Sequence, residues 1–131
     1  MAFALRRAEL FPDIRRVIVV IPYLSIIEQN AAVYRDALEV DILEHHSAAF
    51  GVDGSEEGGY ENPAVRAARE NWDAPIVVTT SVRFFETLFS NHPRDVRRLH
   101  NIARSLVILD EIQTLPRHYL YPTLSVLEEL G

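Results

Sequence analysis

Residues 105–115 read Ser-Leu-Val-Ile-Leu-Asp-Glu-Ile-Gln-Thr-Leu. Leu106, Val107, Ile108 and Leu109 form an uninterrupted apolar run, the pattern of a strand buried on both faces of a parallel sheet rather than of a half-exposed strand that alternates. Asp110 and Glu111 follow at once, at the carboxyl end of that strand, the edge of an open α/β sheet where ligands bind. An apolar strand ending in Asp-Glu has the form of a Walker B motif: the first carboxylate helps hold Mg²⁺ through water, and a second beside it orients the attacking water. Apolar strands with acidic turns also occur without any nucleotide site, so the weight of the motif rests on the rest of the chain.

Working outward, Val17–Ile21 is a second unbroken apolar run, ended by Pro22, which cannot donate into a ladder. Ser25-Ile-Ile-Glu28 has the capping-box spacing. It opens a helix carrying Leu24, Ile27, Ala31, Tyr34 and Leu38 as one stripe toward the sheet. Val40–Glu44 reads as a short strand. Asn62-Pro63 opens a helix, with Asn as cap and Pro at the first helical position, that runs through Val65, Ala68 and Trp72 to Asp73. The strand Ile76–Thr79 follows, and Thr79, Thr80 and Ser81 hand over to a helix containing Val82, Phe85, Leu88 and Phe89. These hydroxyls have two readings: simple helix caps, or, with the amides of the helix start, a phosphate-contacting turn. Pro116 and Pro122 frame a segment that settles into a last helix through Leu124, Leu127 and Leu130. Ala2–Leu10 reads as the end of a helix with no N-terminal cap, as though the element starts further upstream.

Composition narrows the possibilities. A chain of 131 residues suits one domain with a proper core. Hydrophobic content of 48% and charged content of 24% are those of an ordinary soluble protein. There is no cysteine, hence no disulfide and no thiolate metal site. No run approaches a membrane span and no signal peptide is evident, so a cytoplasmic protein without membrane contact is expected. A formal charge of -6 argues against a surface coated in positive charge. All 13 basic residues are Arg. A phosphate loop of the form Gly-x-x-x-x-Gly-Lys-Ser/Thr needs a Lys, and this chain contains none. The glycines of the Phe50–Tyr60 segment therefore belong to a solvated loop. His45 and His46 are neighbours on or beside a strand and point to opposite faces, with no third ligand at a recognisable spacing, which favours a structural role over a metal site. Arg94, Arg97, Arg98 and Arg104 form the one basic cluster, read either as a solvated face or as a nucleic-acid contact.

Strands alternating with helices imply α/β architecture with a parallel sheet built from right-handed βαβ units. The candidate turns, Pro22–Ser25, Thr79–Val82 and Asp110–Gln113, all follow strands. In a parallel sheet those ends share one edge, so residues distant in sequence converge there.

Three segments carry a resemblance. Val-Ile-Pro-Tyr-Leu-Ser-Ile-Ile-Glu-Gln-Asn at 20–30, Val-Val-Thr-Thr-Ser-Val-Arg-Phe-Phe-Glu-Thr-Leu-Phe-Ser-Asn at 77–91 and Leu-Val-Ile-Leu-Asp-Glu-Ile-Gln-Thr-Leu-Pro at 106–116 resemble, in order and spacing, motifs Ia, Ib and II of the CRISPR-associated helicase-nuclease of type I systems, a superfamily 2 helicase. The resemblance implies that residues 1–131 form part of the first RecA-like (P-loop NTPase) lobe, lacking the Walker A strand and loop. It implies an ATP-driven translocase on single-stranded DNA, with Mg²⁺ as cofactor, recruited by an RNA-guided surveillance complex and completed by further helicase and nuclease domains. Carried over by position, Asp110 is the Mg²⁺-site carboxylate, Glu111 activates water, and Gln113 relays nucleotide state. Pro22, Tyr23 and Ser25, with Thr79, Thr80 and Ser81, line the strand path through backbone contacts. With the phosphate loop, the second lobe and its arginine finger missing, the chain alone is expected to bind no nucleotide productively and to turn over little or no ATP. The alternatives are a non-catalytic α/β nucleic-acid-binding or interaction module and an unrelated small α/β domain.

Overall fold

The computed structural model describes residues 6–7, 10–38, 40–46, 63–115 and 117–130. The expectations for the Ala2–Leu10 helix and the Phe50–Tyr60 loop lie wholly or largely outside these residues. The two long apolar runs become adjacent strands. β1 (Arg16–Ile21) is followed by α1 (Leu24–Leu38) and β2 (Ile42–His45), and α2 (Pro63–Asn71) leads into β3 (Ile76–Thr80). Next come α3 (Ser81–Phe89), α4 (Pro93–Ile102), β4 (Ser105–Leu109), a 3₁₀ turn at Ile112–Thr114 and α5 (Arg117–Leu130). The strands form an all-parallel sheet in the order β2-β3-β1-β4, the α/β arrangement expected of part of a RecA-like lobe.

The order makes the chain travel outward from β1 to β2 and then back through β3 to β4 on the far side of β1. Right-handed crossovers place helices on opposite faces when the direction of travel reverses. Side-chain alternation divides the core accordingly. Val17, Val19, Ile21, Ile76 and Val78 form one apolar layer with Ile27, Tyr34 and Leu38 of α1. Ile18, Val20 and Val77 form the other, with Trp72, Phe84, Leu88, Ile102 and residues of α5. β1, with both neighbours in place and both faces covered, is almost fully buried from Val17 to Ile21.

β4 departs from expectation. All five of its residues are only half-buried, because β4 is an edge strand among the described residues and its layers are covered on one side only. An apolar run reports the absence of polar residues, not the presence of neighbours.

Helix ends also differ. α2 stops at Asn71, and Trp72 takes a left-handed conformation (φ 60) while the Asp73 N–H donates to the Ala68 carbonyl at 2.8 Å. This is a Schellman-type ending with the largest side chain where Gly is usual. The left-handed backbone costs about 1–2 kcal/mol, and complete burial of the indole offsets it. α5 runs straight through Pro122 instead of starting after it. The proline forgoes one backbone bond, and the Thr123 hydroxyl, fully buried, donates to the Tyr119 carbonyl at 2.7 Å in the same turn.

Candidate nucleotide and strand-contact rim

The carboxyl edge of the sheet is set by register. Ile21 pairs with Thr80 and Val20 with Leu109, so Pro22 and Tyr23 after β1, Thr80 and Ser81 at β3–α3, and Asp110 and Glu111 after β4 emerge side by side. The three turns expected to converge do so on adjacent parallel strands.

The acidic turn is held by its own backbone. The Asp110 N–H donates to the Val20 carbonyl at 2.9 Å, which extends the ladder one residue beyond β4 and anchors the carboxylate at the rim. Asp110 Oδ1 accepts the Glu111 N–H at 3.0 Å. Glu111 sits in the left-handed region (φ 53), a strained setting for a residue with a Cβ. Its carbonyl accepts both the N–H and the hydroxyl of Thr114 at 2.8 Å, and its carboxylate Oε2 accepts from the Gln113 amide. Asp110, Glu111 and Gln113 are all exposed. The turn therefore presents two carboxylates and one amide to solvent from a braced backbone. Oxygen donors of this kind suit a hard divalent cation held through its water shell. With Oδ1 of Asp110 engaged by the backbone, Oδ2 is the oxygen available for that role.

Sequence reasoning missed one neighbour of this turn. Tyr34 of α1 packs on the same sheet face as Leu106 and Ile108, and strand alternation puts Asp110 on that face too. Burial, and after it the negative charge of Asp110, push the Tyr34 phenol above its ordinary value. The helical spacing of α1 marks Tyr34 as core but carries nothing about what its hydroxyl meets.

At the other turns, the structure sorts the hydroxyls. Thr80 is the N-cap of α3, its Oγ1 accepting the Arg83 N–H at 3.2 Å. Thr79 is fully buried and donates to the His45 carbonyl at 2.8 Å, so its side chain ties β3 to β2 and does not face the rim. Ser81 is half-buried at the helix start. Tyr23 stands 55% exposed, and Leu24, Ile26 and Val82, in the first turns of α1 and α3, are exposed too. α1 begins at Leu24, so Ser25 lies inside the first turn rather than at the cap. The side chains of Ser25 and Glu28, on which the capping box depends, lie outside what is described.

Two members of the basic cluster, Arg98 and Arg104, lie away from this rim. Arg98 is buried: its Nε donates to the Glu70 carbonyl and its Nη1 to Asp95, both at 2.8 Å, and its guanidinium lies 5.6 Å from the Trp72 ring. Burial lowers its pKa, with Asp95 opposing. Arg104 precedes β4, at the opposite edge of the sheet from Asp110. Of the two histidines, His45 is buried edge-on to Trp72 at 5.7 Å. Burial, helped by Arg98 and Arg83, lowers its pKa from 6.5 to about 3. His46 is also buried, with Nε2 3.6 Å from Glu44. No group of His, Asp and Glu able to hold a metal ion occurs among the described residues.

No family model matches this chain. It is similar to the CRISPR-associated nuclease/helicase Cas3 of Haloferax volcanii, at 29% identity over 80% of this chain. The chain spans 13% of the length of that relative. Such an identity supports a distant relationship to one part of a Cas3 protein. No described helix is long and apolar enough to cross a membrane.

Proposed function

We propose that this chain forms the Walker B side of an ATP-driven helicase lobe related to that of type I CRISPR helicase-nucleases, and one wall of its single-strand path. The observation that carries the reading is the convergence of three turns on adjacent parallel strands, with the acidic turn braced and exposed. The similarity to Cas3 supports the same assignment.

Asp110 would hold Mg²⁺ through water, and Glu111 would orient the attacking water. When bound, Mg²⁺ neutralises charge on the phosphates. Gln113, which already donates to the Glu111 carboxylate, links any change at Glu111 to the 3₁₀ turn and so to α5. Pro22, Tyr23, Thr80 and Ser81 would face the strand, while Thr79 holds the rim in place from within. Backbone contacts of this sort let an enzyme follow a strand of any sequence. In the intact system the partners are single-stranded DNA, the remaining helicase and nuclease domains and an RNA-guided surveillance complex. Phosphate binding needs a Lys that this chain lacks.

The test is fluorescence anisotropy with a labelled oligothymidylate at low salt, alongside an ATPase assay with Mg²⁺. Salt-dependent binding should weaken several-fold when Tyr23 and Ser81 are both changed to Ala. Binding indifferent to that change would remove the strand-path assignment. ATP turnover by the chain alone should be absent; turnover that disappears in Glu111→Gln would show that it needs no other lobe.

A further inference from the structure

We draw no further inference here: the strongest candidate, the buried imidazole of His46 just past the end of β2, beside Glu44 and with no partner for its Nδ1 among the described residues, carries none because nothing in the structure shows a donor or ligand that reaches that nitrogen.

Discussion

Acidification should destabilise this protein through a single imidazole. His45 is buried edge-on to Trp72, near Arg98 and Arg83, and its folded pKa lies at about 3 against 6.5 for the free side chain. A folded pKa below the unfolded one means that the unfolded chain takes up the proton first. Stability is therefore intact above pH 6.5 and is lost as pH falls from there toward 3. At about pH 5 the unfolded imidazole is about 1.5 pH units below its pKa and binds a proton that the folded one does not, worth ~2 kcal/mol at 1.36 kcal/mol per pH unit. That is a substantial share of the 5–15 kcal/mol typical of a domain, roughly speaking. Urea unfolding followed by circular dichroism at neutral pH and near pH 5 measures it, with His45→Gln as the reference that cannot charge. Carboxylates titrate in both proteins, so the difference between the two pH slopes isolates His45. Equal slopes would mean that the imidazole protonates in place, and the description of its surroundings would be wrong.

Two further outcomes follow from the packing. Asp110→Asn should lower the Tyr34 ionisation part of the way back toward its ordinary 10.0, because burial is the larger cause of the rise and remains; NMR of ¹³C-labelled tyrosine reads it, and an unmoved titration would separate Tyr34 from the acidic turn. Trp72→Ala should cost ~3–5 kcal/mol, measured as a fall in the urea midpoint, since it empties the space between Phe84, His45 and Arg98; a loss below about 1 kcal/mol would show that the surrounding side chains collapse into the space and leave no cavity.

The parallel sheet and its rim were legible because they depend on local pattern. Val17–Ile21 and Ile76–Thr79 are too apolar and too short for anything but buried strands, and the turn after each strand had to fall on the same edge. What stayed hidden depends on neighbours. Leu106–Leu109 look as apolar as β1, yet only the strand order shows that one of the two strands is an edge among the described residues. Arg98 sits among arginines that read as a solvated face, but its partners are a carbonyl at Glu70 and a ring at Trp72, more than twenty positions away. Thr79 and Thr80 are indistinguishable in the sequence. Alternation along β3 sends one hydroxyl inward to the His45 carbonyl and leaves the other to cap α3. Pro122 reads as a helix breaker, whereas the burial of Thr123 and the packing of Val126 and Leu127 carry the helix through it.

The central position of β1 has a cost in time. It is synthesised before the other described strands, but Val17 meets Ile76 on one side and Leu106 on the other. On the ribosome this ribbon of valine and isoleucine must wait, unzipped, until nearly the whole described sequence has been made. Assembly governed by such distant pairings is slow, and the nascent chain should lean on chaperones for as long as that wait lasts.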